Sequence, residues 1–287
     1  MNPTSAKVLK FYATNNEAGR LSGPNGLLEF ERTKSVIERY CQTKSVIIDV
    51  GGGTGPYSLW LAANGHDAHL VEPAANLLDE AKRQSALQTH QIKTFHFADA
   101  RSLPFPSNFA DLVLMFGPLY HLQQREDRLK ALNEAFRCLK SGGKLLAVGI
   151  SRFASLMDGF RKSYFDDPEF FGVVTKCLTS GHHSNPTGNS AYFTDAYFHK
   201  PEELEKELSD AGFSLVETVG VEGPAWLFPS LVTYMSRQEA KVQILELLSQ
   251  VQHEPSIIGA SAHVLAVGVK RPNQPPESVP PTRTALA

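Results

Sequence analysis

The residues best suited to hold a ligand are a run of glycines and the acidic residue before it. Asp49 precedes a segment in which Gly51, Gly53 and Gly55 alternate. Glycine lets the backbone approach a ligand closely and adopt positive φ, which larger residues obstruct. A glycine-rich turn after a strand therefore predicts a ligand site, although a tight strand-to-helix turn without a ligand has the same pattern.

Two further acidic residues follow the next predicted strands. Glu72 ends the second strand, where a carboxylate can bind both hydroxyls of an adenosine ribose. Asp99 and Ala100 close the third, where a carboxylate can accept a hydrogen bond from an adenine amino group and a backbone amide can reach a ring nitrogen. A solvated strand end or a turn residue is the alternative for each. Together with the glycines, they predict a nucleoside site.

A nicotinamide dinucleotide is the rival ligand for such a site. Its fingerprint requires a third glycine where this chain has Pro56, counting from Gly51. A carboxylate at Asp49 would repel a pyrophosphate and attract a cationic amino-acid or sulfonium group. We therefore favour a cationic nucleoside.

Alternating β-branched and helical patterns from about residue 44 predict an α/β fold, with a doubly wound, mostly parallel sheet and helices on both faces. The carboxyl ends of its strands would bring the glycines and acids to one edge. The predicted strands cover residues 45–50, 68–71, 93–98, 110–116, 144–150, 213–221 and 262–270. The predicted helices cover residues 56–63, 74–87, 125–139 and 201–211.

The remaining segments divide the chain further. Residues 1–43 are interpreted as an N-terminal helical lid on a domain of residues 44–270, with helical cap insertions at about 151–200 and 226–252. The first insertion carries His182 and His183 in a turn-rich loop, where adjacent histidines are usually exposed. Residues 271–287 contain five prolines and little apolar surface, so we expect a disordered tail.

These ordered motifs resemble the class I S-adenosylmethionine-dependent methyltransferases over most of residues 44–270. The resemblance implies a Rossmann-like sheet of seven strands, the last antiparallel and inserted between strands five and six. It implies S-adenosylmethionine as cofactor, with residues 49–55 on its methionine part, Glu72 on its ribose and Asp99 with Ala100 on its adenine. The fourth-strand motif ends at Phe116.

The segment before the first strand is similar to the lid that folds over the cofactor in that family. Tyr12 and Arg20 lie in it, and with Phe116 they are predicted as further cofactor contacts. An ordinary solvated amphipathic helix would have the same pattern.

The segment Gly117-Pro-Leu-Tyr-His-Leu122 follows the fourth strand, where the family places residues that face the methyl acceptor. It resembles a bacterial subgroup of small-molecule methyltransferases and differs from the Asn-Pro-Pro-Tyr motif of adenine-directed DNA methyltransferases. Tyr120 could orient or stack on a substrate, and His121 could take a proton. Packing or capping of the next helix is the alternative for both.

Charge and cysteine content limit the partners. With 28 Lys and Arg against 30 Asp and Glu, the chain has no basic excess to attract nucleic acid or an anionic membrane. Its three scattered cysteines match no zinc or redox motif, so no metal is predicted and a cytoplasmic location is expected. Neither a signal peptide nor a membrane-spanning segment is indicated. We expect a monomer or homodimer.

The sequence thus predicts methyl transfer to N, O, S or C of a small molecule. A non-catalytic S-adenosylmethionine-binding protein stays open, because the cofactor residues are better specified than the acceptor residues. A NAD-dependent oxidoreductase conflicts with Pro56, and a nucleic-acid methyltransferase with the charge balance. An aminopropyltransferase would need acidic residues in 117–122, which contains none.

Overall fold

A computed structural model describes Val8, Phe11, Tyr12 and residues 17–271. Its strands are β1 (Val46–Val50), β2 (Asp67–Val71), β3 (Thr94–His96), β4 (Ala110–Met115), β5 (Leu139–Ile150), β6 (His182–His183), β7 (Ala196–Tyr197), β8 (Ser214–Gly220) and β9 (His263–Val269). Seven of them form one sheet in the order β3-β2-β1-β4-β5-β9-β8, and β6 pairs with β7 separately.

The sheet has the predicted topology. Strands β1 to β5 pair in parallel, whereas β9 is antiparallel to both β5 and β8. The last strand is therefore inserted between the fifth and sixth strands of the sheet, which confirms the Rossmann-like arrangement that the resemblance implies.

Helices flank this sheet. They are α1 (Pro24–Glu38), α2 (Pro56–Ala63), α3 (Ala75–Ala86), α4 (Pro118–His121), α5 (Arg125–Cys138), α6 (Ala154–Lys162), α7 (Pro168–Ser180), α8 (Pro201–Asp210), α9 (Leu231–Met235), α10 (Gln238–Val251) and α11 (Pro255–Ile258). Among the described residues, none of the helices has the length and apolar character needed to cross a membrane.

Both faces of the central strands are buried, which explains their nearly continuous apolar sequences. In β1, Ile48 and Val50 pack into the cluster on one face, and Ile47 belongs to the cluster on the other. Alternate side chains of a strand point to opposite faces, so a strand covered on both sides needs apolar residues at successive positions. Asp49 interrupts this run, and it is 1% exposed.

Two predicted strands differ from the structure by two or more residues at one end. Strand β5 begins at Leu139 and not at residue 144, because the chain turns directly from α5 into an extended conformation; its register against β4 shifts between Ala110 and Leu112. Gly142 lies inside this strand with φ of 79°. Strand β3 is shorter than predicted because it is an edge strand that pairs with β2 at three positions.

The predicted insertions contain helices α6 and α7 with the β6–β7 ribbon, and helices α9 and α10. The first insertion packs near the carboxyl end of β5, where Ala154, Cys177 and Phe198 form a cluster with Tyr120. The second packs on α1 through Leu28. Of the predicted tail, only Arg271 lies within the described residues.

Candidate active site

A cavity opens at the carboxyl ends of β1, β2 and β4. Counting its open mouth, it encloses about 1090 Å³. Every residue that the sequence predicts for the cofactor or the acceptor lines it, except Gly55. Lining residues that the sequence did not single out include Val8, Leu21, Tyr57, Pro73 and Leu77.

The glycine loop forms one wall of the cavity, and its geometry explains the residue type. The Gly51 amide donates to the Val71 carbonyl at 2.8 Å, which fastens the loop to the end of β2. Gly51 and Gly53 have φ of 69° and 59°. A Cβ on Gly51 would lie 2.8 Å from the Pro118 ring, whereas one on Gly53 would meet no atom within 4 Å and would occupy the cavity.

Gly55 serves packing rather than the cavity. It precedes α2 with φ of 83°, and a Cβ there would lie 3.0 Å from the Leu70 methyl and 3.3 Å from that of Ile92. The residue thus lets the start of the helix approach the sheet closely, as glycines of strand-to-helix turns do. Its predicted cofactor contact finds no support in this geometry.

Asp49 is the buried carboxylate behind the loop. Its Oδ2 accepts a hydrogen bond from the Ser58 hydroxyl at 2.7 Å. Burial raises the pKa of Asp49 to about 6 despite that bond. A carboxylate held this way is stabilised when a cation pairs with it, so the site favours a positively charged ligand group.

Glu72 is oriented by backbone amides. Its Oε2 accepts from the Gly53 amide at 2.9 Å, and its Oε1 accepts from the Ala74 amide at 2.8 Å. A carboxylate is an acceptor and can bind vicinal hydroxyls such as those of a ribose. The carboxylate therefore links the glycine loop to the end of β2.

Asp99 has a strong partner that the sequence analysis missed. Its two oxygens accept from Nε and Nη2 of Arg101 at 2.8 Å each, and Nη1 of Arg101 binds Asp127 at 2.9 Å. Arg101 is only two residues after Asp99 in the sequence. Nothing in the sequence around it distinguishes a paired arginine from an exposed surface arginine, so the pair could not be predicted. An adenine amino group at this position would have to share the carboxylate with Arg101.

Tyr12 and Arg20, which belong to the predicted lid, line the cavity. The Tyr12 hydroxyl and His121 Nε2 are 2.7 Å apart, and the two rings meet edge to face. Arg20 Nη1 donates to Glu29 Oε2 at 2.6 Å, so the guanidinium is anchored on α1. Tyr12 thus contacts the predicted acceptor residue, in addition to lining the predicted cofactor cavity.

His121 ends the short helix α4 after β4. Its Nδ1 is buried and is one of the described side-chain nitrogens without a hydrogen-bond partner. Burial lowers the pKa of His121 to about 3, so the imidazole is neutral near pH 7. A neutral ring whose Nε2 is engaged by Tyr12 can present Nδ1 as an acceptor or donor, depending on its tautomer.

Aromatic side chains surround this histidine. The Tyr120 ring lies 4.6 Å from the His121 ring, and Phe193 of the first insertion lies 6.0 Å away on a tilted plane. Phe193 has φ of 63°, an uncommon conformation for a bulky residue. Its position next to His121 depends on a long-range approach of the insertion, for which the local sequence carries no signal.

The adjacent histidines of the first insertion do not form an exposed loop. His183 is 1% exposed; its ring stacks on Phe198, and its nitrogens contact the Ser155 hydroxyl and the Tyr192 carbonyl. The expectation of exposure is wrong for this residue, because pairing of β6 with β7 folds the ribbon onto the aromatic residues. Neither histidine lines the cavity.

Within the described residues, one group of side chains brings possible metal ligands together. Glu29, Glu222 and His263 place ligand atoms within 4.8 Å of one another. Burial alone would lower the pKa of His263, but attraction to Glu222 and Glu29 outweighs it and raises the value to about 9. The His263 imidazole accordingly forms ion pairs with Glu222 at 2.6 Å and with Glu29 at 4.0 Å.

The cavity suits S-adenosylmethionine on these observations. Its wall combines a loop in which a Cβ on Gly53 would occupy ligand space, a buried carboxylate that favours a cation, and an oriented carboxylate at the end of β2. The sulfonium and ammonium groups of the cofactor are such cations, and its ribose carries the vicinal hydroxyls that Glu72 could bind.

Comparison with known proteins identifies a matching family model and similar sequences. Residues 48–147 match the family model described as a methyltransferase domain. A ubiquinone/menaquinone biosynthesis C-methyltransferase from Ruegeria is 33% identical over 133 residues, which cover 45% of this chain and 50% of that protein. A demethylmenaquinone methyltransferase from Oceanobacillus iheyensis is 26% identical over 77% of this chain and 93% of its own length. The chain thus spans only half of the Ruegeria relative.

Solved structures share the fold. An S-adenosylmethionine-dependent methyltransferase from Methanosarcina mazei has a TM-score of 0.56 at 20% identity, over 82% of this chain and 97% of that one. A possible histamine N-methyltransferase from Thermotoga maritima has a TM-score of 0.54 at 20% identity, over 91% and 98%. At this identity the likeness concerns the fold.

Proposed function

The chain belongs to the class I S-adenosylmethionine-dependent methyltransferases, and we propose that it transfers the methyl group to an uncharged, largely apolar small molecule. The observation that carries this choice is the distribution of charge around the cavity. Among the described lining residues, the charged side chains are Arg20, Asp49, Glu72 and Asp99. None of them belongs to the segment that follows β4.

We call Tyr12, Phe116, Tyr120, His121 and Leu122 the acceptor wall. Its polar atoms are phenol hydroxyls and a neutral imidazole, and the rest of its surface is aromatic or aliphatic. A cationic acceptor bound there would lose hydration without gaining a carboxylate, which is costly. A neutral ring with a hydroxyl or a reactive carbon would instead stack on the wall and hydrogen-bond to it.

The chemistry asks little of the protein. S-adenosylmethionine supplies an electrophilic methyl group on a sulfonium that leaves as a neutral thioether. The chain's own task is to align the acceptor with that group and to exclude water, which the aromatic wall supports. His121 would accept the proton that the acceptor loses, through Nδ1, while Tyr12 holds Nε2. Tyr120 would orient the acceptor by its ring and hydroxyl.

The related quinone-pathway enzymes suggest a starting point for substrates. One relative is named as a C-methyltransferase of ubiquinone/menaquinone biosynthesis, and another as a demethylmenaquinone methyltransferase. A reduced quinone is a neutral aromatic ring with hydroxyls, which agrees with the charge-free acceptor wall. We propose neutral phenolic or quinol compounds as the first acceptors to test.

The decisive experiment follows radiolabelled methyl from S-adenosylmethionine into a metabolite extract, with the labelled compounds then identified. Parallel reactions would contain a neutral quinol, a simple phenol or a cationic amine. The proposal expects label in neutral compounds and none in the amine. Labelling of the amine would contradict the acceptor class, and cofactor binding in calorimetry without transfer to any compound would favour the non-catalytic alternative.

Location and assembly belong to the same proposal. We infer a cytoplasmic enzyme, because Cys41, Cys138 and Cys177 are all unpaired. The nearly balanced charge supports a small-molecule partner over nucleic acid. A monomer or homodimer is expected, and sedimentation at equilibrium would distinguish them.

A further inference from the structure

The acceptor wall includes a helix that is too short to hold itself in place. Helix α4 has four residues, and the Leu122 amide bonded to the Pro118 carbonyl at 3.0 Å closes its one turn. Such a turn fixes several backbone dihedrals for one hydrogen bond, which is unfavourable without outside support. Tyr120 and His121 are in this turn, so their positions require a support elsewhere in the molecule.

Arg128 provides that support. This side chain is 2% exposed and lies in the first turns of α5. Its Nη1 donates to the carbonyls of Leu122 and Gln123, both at 2.9 Å. These are the two carbonyls that directly follow His121, where the backbone leaves α4.

A second buried charge holds Arg128. Nε donates to both oxygens of Glu207, at 3.0 and 2.9 Å, and Nη2 donates to Oε1 at 2.7 Å. Burial alone would raise the pKa of Glu207, but hydrogen bonds from His199 and Arg128 outweigh it and lower the value to about 2. The carboxylate is therefore ionised, and the fork geometry fixes the plane of the guanidinium.

The first insertion joins the same group. The Arg128 guanidinium carbon lies 3.8 Å from the ring centroid of Tyr197 in β7, and His199 Nε2 is 3.4 Å from Glu207. The backbone of His199 donates to the Ile150 carbonyl at 2.7 Å, which fastens the group to the end of β5. Arg128 thus connects the insertion, helix α8 and the segment after His121.

We propose that Arg128 is a positioning residue for methyl transfer, which fixes Tyr120 and His121 by binding the Leu122 and Gln123 carbonyls, and that Glu207 holds Arg128 in that orientation. The catalytic consequence rests on the proposed function. Lysine cannot replace this arginine, because it lacks the planar fork that reaches two carbonyls and a carboxylate together.

Arg32 offers a matched control. It is also 2% exposed and donates to backbone carbonyls, those of Val221 and Leu245, and to Gln252, but it makes no described bond to the acceptor wall. Arg128→Lys and Arg32→Lys therefore remove a comparable buried fork. Glu207→Gln keeps the shape of the carboxylate and serves as a second test if Arg128→Lys does not fold.

The first readout is carbethoxylation of His121 by diethyl pyrocarbonate, followed by peptide mass spectrometry at pH 7. The His121 imidazole is already neutral, so its rate reports access, and exposed His90 is the internal standard. We expect Arg128→Lys and Glu207→Gln to raise the His121 rate about tenfold or more, relative to His90, and Arg32→Lys to leave it unchanged. An unchanged rate in the folded Arg128 or Glu207 variant, or an equal rise in Arg32→Lys, would overturn the proposal.

The second readout is kinetic. Arg128→Lys should lower kcat/KM for the acceptor by about 30-fold, with the Kd for S-adenosylmethionine within about twofold of the original chain. Arg32→Lys should change neither by more than about threefold. Loss of cofactor affinity equal to the loss of turnover would contradict a role confined to the acceptor wall. Because the carbethoxylation of His121 by diethyl pyrocarbonate needs no turnover, it tests the positioning of His121 even if no acceptor is methylated.

Discussion

The cofactor side of the cavity and the acceptor wall are built differently. On the cofactor side, Asp49 and the glycines lie at the end of one strand and Glu72 follows the next, and the backbone amides of Gly53 and Ala74 orient the Glu72 carboxylate. The acceptor wall instead joins Tyr12 to His121 across 109 positions of sequence, with Phe193 behind them. The contrast teaches that residues close together in the sequence can form a cofactor site, whereas the acceptor wall depends on packing between segments that are distant in the sequence.

The largest effect that tests this contrast is expected at His121. If His121 takes the acceptor's proton, His121→Ala should lower turnover by about 10²-fold or more and leave cofactor affinity within about twofold. Tyr120→Phe is the companion variant, because it keeps the ring and should act mainly on the apparent acceptor affinity. Steady-state kinetics and calorimetry measure both. Full turnover at every pH together with a lower Tm would make His121 structural.

On the cofactor side, Glu72→Ala should weaken S-adenosylmethionine binding by about 1 to 3 kcal/mol, because hydrogen bonds to the ribose are lost. Glu80→Ala is the control, since that carboxylate lies on α3 and pairs with surface Arg83. Titration calorimetry on both variants gives the difference. An unchanged Kd for S-adenosylmethionine in Glu72→Ala would contradict the ribose contact. Weaker acceptor binding by this variant at saturating cofactor would show that the cofactor side and the acceptor wall are not independent.

The ion pair beside the cofactor side predicts a pH dependence of stability. His263 Nδ1 lies 2.6 Å from Glu222, and its pKa is raised to about 9 in the folded chain. A raised pKa stabilises the folded state below the unfolded value, near 6.5, and the contribution is lost as pH rises through about 9. Its size is on the order of 3 kcal/mol.

Urea unfolding at pH 6, 8 and 10 measures this loss. The chain should lose free energy of unfolding between pH 6 and 10, and Glu222→Gln should lose much less over the same range, because its uncharged side chain no longer favours the imidazolium. Parallel curves for the two proteins would show that His263 does not carry the dependence.

The smallest expected effect distinguishes the stability cost of backbone strain from a steric clash with the cofactor. Gly53 and Gly65 both have positive φ, 59° and 85°, and a Cβ on either would meet no atom within 4 Å. Alanine should therefore cost about 1 kcal/mol of stability at each position. Since Gly53 lines the cavity and Gly65 does not, Gly53→Ala alone should weaken cofactor binding. Equal affinities in the two variants would argue against a cofactor contact at Gly53.

The place of the antiparallel last strand was expected from the family resemblance alone. Local sequence determined the doubly wound, mostly parallel sheet and the side of the cavity that carries Asp49, the glycines and Glu72. These features follow from apolar periodicity and from backbone conformations that few residues other than glycine adopt, and both can be read from neighbouring residues. Tertiary structure alone decided that Gly55 packs against Leu70, that Asp99 pairs with Arg101 and that His183 is buried. It also decided that Arg128 holds the turn bearing His121, because burial and pairing of a polar side chain depend on segments distant along the chain.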